Sequence, residues 1–484
     1  MKKYLFIWCF FLLSVKVFGQ QFSQYNTGSL YDSFENPSQR SFIPDTSRQF
    51  AFNFFLPNFS ADVFLTGNAQ AALKTRAFSN YYNTADLQIG KGYYNHASFN
   101  ANYYSIMFKV FTSLNGDQEI GFSLNTKEEA RGVLSDESIA IFNGPTNFPN
   151  NSYDNIFNDG YHYQIYHQIS ATYREQVTKR LSIGAKISAL SGITYKSISI
   201  DQSHIDFDKQ RDQARVYLQG SDYTSGLREG ESNIHRVFPT FLNPGASITV
   251  GASYLDEGGF KWQGNIKDLG FIHWNSLSTI NQFRGDTVIR GLSSAQREKN
   301  ITTALSNITS FEQPNHGFTT KTNGLLEVSV NKNYWLDYDK EFKFSPTLIA
   351  SKELFYSGFT GALVAPLQYH HYIVTLISSY NDLRMLSIGG QLMVKAPNAE
   401  FFIGSERLFQ TISLISTAAK GNVGNQNQFV TGPGTYSGAN FFIGASFKFG
   451  SIIEHPMNAS TIPDGEKGFL GRLWEKWFHK DKNY

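Results

Sequence analysis

The chain has 484 residues, of which 15% are aromatic and only 17% are charged, and its formal net charge is +2. Ordinary soluble domains carry about 25% charged residues, and a near-neutral chain without a basic stripe argues against nucleic acid as a partner. Mean hydropathy is −0.31, and no segment after the N-terminal region holds the roughly 18 consecutive apolar residues of a transmembrane helix. This composition suits a wall whose residues alternate between lipid and lumen.

Residues 1–19 have the features of a signal peptide. Two early lysines precede an apolar stretch from Tyr4 to Val15, and Gly19 offers a small residue for cleavage. The stretch is too short to cross a bilayer, which takes about 20 residues. The chain's one cysteine, Cys9, lies in this segment behind bulky residues, which argues against lipidation. We therefore expect a mature chain without disulfides.

Residues 20–46 are polar and poorly periodic, and they include Glu35-Asn36-Pro37-Ser38. A segment without strand alternation does not belong to a barrel wall. It is expected either to enter the lumen as a plug or to stay in the periplasm.

Residues 47–450 contain repeated segments in which apolar and polar residues alternate, for example Ala246–Tyr254 and Ala439–Phe449. Side chains of a strand point alternately to opposite faces, so each segment has one apolar face. A β-sandwich alternates too, but about fourteen strands of some ten residues without an inter-domain linker are typical of a membrane barrel, in which closure removes the strand edges. The sequence predicts an all-β fold, a transmembrane antiparallel β-barrel.

The connections between the predicted strands differ in length. Tight turns are predicted at Asp256–Gly259, Asn381-Asp382 and Pro397-Asn398, and long polar loops at 127–160, 201–235, 271–318 and 410–436. Bacterial barrels have short periplasmic turns and long outer loops. Aromatic residues near strand ends are expected to form interfacial girdles; they are Tyr93-Tyr94, Tyr103-Tyr104, Tyr161 to Tyr166 and Tyr369 to Tyr372.

One segment midway along the chain, Asn265–Trp274, stands out in this pattern. Gly270 allows a bend or a close backbone approach, and Asp268 can cap or turn a strand end. Phe271 and Trp274 are expected to anchor at the membrane interface. A structural role is favoured over contact with a ligand.

The predicted periplasmic tail, residues 451–484, ends in a short amphipathic helix. Its apolar residues recur at helical spacing: Phe469, Leu473, Trp474, Trp477 and Phe478. Such a helix can lie on the inner leaflet or bind a protein partner, and it can equally cover the barrel mouth.

The segment Asp268-Leu269-Gly270-Phe271-Ile272-His273-Trp274, together with Asn36-Pro37, resembles an uncharacterised family of Bacteroidota outer-membrane barrels. That family is similar in architecture to FadL-like barrels and to the PorV-type proteins of type IX secretion. Its Asn-Pro-Ala element appears here with Ser38 in place of alanine. The resemblance implies a fourteen-stranded FadL-like barrel, an N-terminal segment that enters it and an outer-membrane location; it implies no substrate.

The sequence offers no catalytic template and no cofactor motif, so we do not expect an enzyme. His370 and His371 are adjacent and would face opposite sides of a strand. Four aspartates in the predicted loop 201–235 could attract calcium, but they lack the glycine and terminal glutamate of an EF-hand, and basic neighbours nearly balance them; they are Asp201, Asp206, Asp208 and Asp212. A solvated loop is the better interpretation, so no metal is expected.

Two functional hypotheses remain open at this level. The first is a FadL-like transporter or channel for small hydrophobic molecules, surrounded by outer-membrane lipid. The second is a non-transporting accessory barrel for type IX secretion or cell-surface assembly, with a periplasmic or secretion-system protein as partner. Because fold alone is a weak guide to function, the contents of the lumen must decide between these two hypotheses. A transporter needs an apolar pocket and a kinked strand or lateral opening, whereas a solidly packed lumen excludes transport.

Overall fold

A computed structural model of the chain describes residues 22–41, 48–112, 117–226, 238–309, 315–356, 358–420, 436–452 and 468–478. The predicted signal peptide therefore lies outside the described residues. The described strands are β1 (Arg48–Phe52), β2 (Asn58–Thr66), β3 (Tyr94–Phe111), β4 (Gln118–Ser135), β5 (Ser152–Asp154), β6 (Gly160–Gln176), β7 (Leu181–Asp208), β8 (Gln213–Ser225), β9 (Pro244–Leu255), β10 (Phe260–Trp274), β11 (Thr279–Arg290), β12 (Phe318–Lys321), β13 (Leu325–Lys332), β14 (Tyr334–Trp335), β15 (Phe342–Phe344), β16 (Thr347–Glu353), β17 (Phe359–Tyr369), β18 (Tyr372–Asn381), β19 (Leu386–Lys395), β20 (Ala399–Ser405) and β21 (Tyr436–Ile452).

The strands form a closed antiparallel barrel with fourteen wall positions. β1 and β2 together make the first position and β12 with β13 the eighth. The sheet closes because β21 pairs with both β1 and β2. The start of β1 pairs with the end of β21, so both lie at one end of the barrel, which we call the terminus end; the opposite end is the loop end.

Short helices accompany the barrel: α1 (Leu30–Glu35), α2 (Gln70–Ser79), α3 (Asp136–Ala140), α4 (Arg297–Thr309), α5 (Leu408–Lys420) and α6 (Phe469–Phe478), with 3-10 turns at Phe22–Gln24, Ile141–Asn143 and Pro145–Asn147. The predicted C-terminal helix is thus present. Within the described part of the chain, no helix combines the length and the apolar character that a membrane span requires.

The alternation predicted from sequence orients the wall residues. On β19, Leu392 and Val394 are exposed on the outer face, whereas Ser387 and Gln391 are buried in the lumen. A strand between lipid and a polar interior places apolar side chains on one face and polar side chains on the other. The lumen therefore holds most of the buried charge.

Several predicted loop boundaries are wrong because strands continue beyond the alternating region. β4 runs to Ser135 and β10 to Trp274, so the predicted loops 127–160 and 271–318 begin too early. The predicted loop 201–235 includes the end of β7 and all of β8, and β8 pairs with β11 to extend the sheet at the loop end. A strand outside the lipid layer needs no apolar outer face, so its polar sequence resembles a loop.

Asp201, Asp206 and Asp208 accordingly lie on β7 and not in a loop. Among the described residues, no three His, Cys, Asp or Glu side chains form a metal-binding group. The tight turn at Asn381-Asp382 lies at the loop end, opposite the turns at Asp256–Gly259 and Pro397-Asn398. The prediction that tight turns lie at one end of the barrel and long loops at the other therefore holds only in part.

The predicted aromatic girdles require rings on the outer surface, and only some of the named tyrosines are exposed. Tyr103, Tyr161 and Tyr372 are exposed, whereas Tyr104 and Tyr166 are buried. Adjacent residues of a strand face opposite sides. Tyr103-Tyr104 therefore places one ring outside and one ring in the lumen.

Candidate functional site

Residues 22–41, which we call the plug, cross the lumen towards the terminus end. Ser29 caps α1 by accepting a hydrogen bond from the Asp32 N–H at 3.2 Å, which satisfies one of the free N–H groups of the first turn. The apolar side chains of this short helix, Leu30, Tyr31 and Phe34, are buried against residues of β3, β19, β20 and β21. A six-residue helix is unstable alone, so these wall contacts hold it.

Two wall glycines make room for the predicted Asn36-Pro37 element. Gly184 of β7 is paired with Gly251 of β9. A Cβ atom at Gly184 would lie 2.0 Å from the Pro37 carbonyl oxygen, and one at Gly251 would lie 2.4 Å from Asn36 Oδ1. Asn36 Oδ1 also accepts hydrogen bonds from the Ser38 N–H at 3.1 Å and its hydroxyl at 2.8 Å. The element folds as a tight turn seated in a dent that only glycine leaves open.

Charged wall residues bind the plug backbone from several directions. Glu400 of β20 accepts a hydrogen bond from the Leu30 N–H at 3.1 Å, and Arg174 of β6 donates to the Ser38 carbonyl at 3.1 Å. Lys395 of β19 donates to the Gly28 carbonyl at 2.8 Å. Because these partners come from different sides of the barrel, the plug is held across the lumen.

The conspicuous segment in β10 contains a β-bulge. The pairing of β10 with β9 shifts register between Ile266 and Leu269, and Asp268 has a φ of +47°, which is uncommon for a residue other than glycine. A bulge adds one residue to one strand. Consequently Lys267 and Asp268, although adjacent, are both buried in the lumen.

The bulge brings opposite charges together beside the plug. Lys267 Nζ lies 2.6 Å from Glu35 Oε2 and 3.6 Å from Glu327 Oε1. Burial alone would raise the pKa of Glu35, but Lys267 and two further lysines lower it from 4.5 to about 2. Asp268 pairs with Lys127 of β4 and lies 3.2 Å from Lys186 of β7. This network ties the C-terminus of α1 to four wall strands, β4, β7, β10 and β13.

A cavity of about 570 Å³ lies in the lumen on the loop-end side of the plug. It extends from Tyr31 and Glu35 of the plug to Tyr161 and Asp382 near the loop end. Apolar, aromatic and charged side chains line it together, so it is not a purely apolar pocket. The presence of the cavity shows that the lumen is not solidly packed; a kinked strand or lateral opening stays a prediction.

The other residues of the β10 segment have separate places. Leu269 and Phe271 are exposed on the outer wall, and a Cβ at Gly270 would lie 2.3 Å from the Ala246 carbonyl. The close approach predicted for Gly270 is thus present. The capping or turning role expected for Asp268 is replaced by the lumen ion pairs.

Trp274 does not anchor at the interface, because it is fully buried. It lies where β7 leaves β9 and begins to pair with β8. A Cβ at Gly192 would lie 2.7 Å from the indole, and Trp274 Nε1 donates to Thr320 Oγ1 at 2.8 Å. Trp274 fills the gap at this branch of the sheet.

Helix α6 lies against the wall at the terminus end. Glu175 follows the lumen-facing Arg174 in β6 and therefore faces outward, and its carboxylate accepts hydrogen bonds from the Leu470 and Gly471 N–H groups at 2.8 and 2.7 Å. A carboxylate at the first turn satisfies free N–H groups and the helix dipole. Phe469 and Trp477 are exposed, and Leu473 and Trp474 are half-buried. The Phe478 side chain lies outside the described residues.

A family model described as "Family of unknown function (DUF5723)" matches residues 42–406. The chain belongs to this family. No curated protein matches the sequence. The family is uncharacterised, as the sequence resemblance implied; the Bacteroidota origin and the relation to PorV-type proteins stay predictions.

Similar solved structures include two toluene transporters and a FadL homologue. The toluene transporter TbuX of Ralstonia pickettii is 10% identical with a TM-score of 0.40, covering 87% of this chain and 94% of that one. A FadL homologue of Pseudomonas aeruginosa is 11% identical with a TM-score of 0.40, covering 88% and 96%. The toluene transporter TodX of Pseudomonas putida is 8% identical with a TM-score of 0.38, covering 90% and 94%. We draw no functional argument from likenesses of this size.

Sequence reasoning missed most of the charged residues in the cavity. Lys127, Glu129 and Arg131 fall in a predicted loop but lie on β4 and line the cavity. Glu406 and Arg407, which directly follow β20, also line it. Charges at every second residue, 127, 129 and 131, were the available signal, because that spacing places them on one face of a strand.

Proposed function

We propose that this protein conducts a small molecule through the lumen of a barrel in the bacterial outer membrane, with both termini in the periplasm. The cavity between the plug and the loop end supports this proposal, because it gives a molecule room inside the wall. A volume of about 570 Å³ falls in the range of small-molecule sites. The mixed lining suits a molecule with an apolar body and a charged or polar group better than a pure hydrocarbon.

The plug then acts as the gate, because it separates the cavity from the terminus end. The plug is held by the apolar packing of α1 and by hydrogen bonds and ion pairs to the wall. Release of a short segment from such contacts is one of the known kinds of switching transition. Conduction requires its displacement. A plug that is permanently tied to the wall should block passage.

A disulfide between the plug and β9 tests the proposal. Ser253 Oγ lies 3.5 Å from the Ser38 carbonyl oxygen, so the two residues are in contact. The pair Ser38→Cys and Ser253→Cys is therefore the candidate cross-link, and it forms only if the Cβ atoms lie about 3.5–4.5 Å apart. The variant is reconstituted in liposomes, and uptake of benzyltrimethylammonium and benzenesulfonate is measured by mass spectrometry. Both probes are charged and cross lipid poorly.

We expect the reduced variant to admit at least one probe and the oxidised variant to admit neither. The reduced form of the same protein is the matched control, and intact mass confirms the cross-link. Equal uptake in both states would show that the plug is not the gate. If neither wild type nor reduced variant exceeds empty liposomes, the barrel is not a conducting channel for such molecules.

An accessory barrel for secretion or surface assembly is the second candidate, and α6 favours it. The helix is seated on Glu175 at the terminus end and leaves Phe469 and Trp477 exposed, a surface suited to a periplasmic partner or to the inner leaflet. A gentle detergent pull-down from the native membrane should recover a stoichiometric protein that is lost when residues 465–484 are deleted. Unchanged recovery after the deletion would contradict this role of the helix.

A further inference from the structure

The charges that line the cavity do not balance. Four lysine or arginine side chains line it: Lys127, Arg131, Lys267 and Arg407. Nine carboxylate side chains line it: Asp32, Glu35, Asp62, Glu129, Asp268, Glu327, Glu353, Asp382 and Glu406. Burying charge without a counter-charge is costly. The excess of carboxylates therefore needs an explanation.

Each of the four cations already has a carboxylate partner. Arg407 donates hydrogen bonds from Nε and Nη2 to the Asp62 carboxylate at 2.6 and 3.1 Å, and Arg131 pairs with Glu353. Lys127 and Lys267 belong to the network beside the plug. The cations of the lining are thus paired.

Lysines behind the lining also act on it: Lys186 lies 3.2 Å from Asp268, and Lys261 and Lys395 attract Asp32. The remaining carboxylates Glu129, Asp382 and Glu406 belong to no ion pair among the described residues.

Glu406, the first residue after β20, is the clearest of these carboxylates. Its side chain is 4% exposed, and Oε1 accepts a hydrogen bond from the Ser23 N–H at 3.0 Å. Oε2 has no hydrogen-bond partner among the described residues. Burial raises the pKa of Glu406 from 4.5 to about 7, and the neighbouring Arg407, which is paired with Asp62, offsets only part of that rise.

Glu129 of β4 is attracted by Arg131 and Lys127 of the same strand, but both of these cations are paired with other carboxylates. Its carboxylate accepts a hydrogen bond from the neutral Gln164 Nε2 at 3.3 Å, and no ion pair of the described residues includes it. Tyr31 and Tyr166 line the same cavity. Aromatic faces attract organic cations, and more strongly where water is excluded.

We infer that the cavity binds an organic cation, an amine or quaternary ammonium group on an apolar body, with Glu406 as its principal counter-charge. The inference rests on the proposed function and names the class of molecule that the lumen accepts. An amine N–H group beside Glu406 supplies the missing hydrogen-bond partner of Oε2, and an amine or a quaternary ammonium balances the acidic lining. The apolar body packs on the tyrosine rings.

Binding to the purified wild-type protein in nanodiscs tests the inference by calorimetry. The probes are benzyltrimethylammonium and benzenesulfonate, which share an aromatic ring and carry opposite charges. We expect the cation to bind at least tenfold more tightly. Equal affinities, or tighter binding of the anion, would overturn the inference. This comparison needs no variant, so it stands even if a substitution prevents folding.

A matched pair of variants locates the site. Glu406→Gln should weaken binding of the cation about tenfold, because it removes the negative charge that attracts the ammonium group in a site partly shielded from water. Glu257→Gln is the control, since Glu257 lies in a terminus-end turn with a side chain 83% exposed. An unchanged affinity in Glu406→Gln, or an equal loss in Glu257→Gln, would contradict the assignment of Glu406.

The outcome separates this inference from the proposed function. Tight cation binding without uptake in the disulfide experiment would keep the binding site and reject conduction. Uptake of both probes without cation preference would keep conduction and reject the site.

Discussion

The two glycines beneath the plug allow a precise perturbation of its seating. Gly184 and Gly251 face each other across β7 and β9, and a Cβ on either would come within 2.0 Å of Pro37 or 2.4 Å of Asn36. Neither glycine has a positive φ, so alanine fits the strand itself. Gly184→Ala should therefore leave the wall intact and push the plug away.

The expected size follows from the cost of overpacking. Adding a methyl group to a well-packed contact costs about 1–3 kcal/mol, and each 1.4 kcal/mol is tenfold in an equilibrium constant. The ratio of seated to released plug should thus fall about 5- to 150-fold. Gly184→Ala and Gly251→Ala act on one segment, so their costs need not add.

Hydrogen exchange followed by mass spectrometry measures the release. Amide groups of residues 30–38 should exchange faster by the same factor in Gly184→Ala, while peptides of β3 and β18 keep their protection. Gly264→Ala is the control, because a Cβ there meets nothing within 4 Å. Unchanged plug exchange in Gly184→Ala, or equal acceleration in Gly264→Ala, would refute the proposed seating.

Three further predictions concern the lumen. Lys267→Met removes the cation between two buried carboxylates and should cost about 3–5 kcal/mol of unfolding free energy in urea; Arg180→Gln, at an exposed ion pair, should leave the midpoint unchanged, and equal losses would contradict the buried role. Because the pKa of Glu35 is lowered from 4.5 to about 2, its contribution of about 3 kcal/mol is present above pH 4.5 and lost as the pH falls towards 2. Glu35→Gln should lack that component of the fall; an identical pH profile would argue against it. Trp274→Ala empties a buried site and should cost about 3–5 kcal/mol in thermal or urea unfolding, clearly more than Phe271→Ala on the outer wall, and the reverse order would disprove the packing role.

The sequence by itself determined the class of fold. Alternation such as Ala246–Tyr254 depends on each strand having one face in lipid and one in the lumen, a local property that needs no tertiary information. The C-terminal helix at Phe469–Phe478 was likewise predicted, because helical spacing of apolar residues is local. The close backbone approach at Gly270 was also predicted, since glycine is the residue that permits it.

The tertiary structure alone decided what fills the lumen. A bulge at Lys267-Asp268 places two adjacent charges on one face, which strict alternation would forbid. Glu35 and Lys267 are 232 residues apart in the numbering yet in contact at 2.6 Å, and Trp274 is buried because β7 changes partner beside it. Such contacts depend on barrel closure and strand register, which bring distant residues together and which no local pattern records.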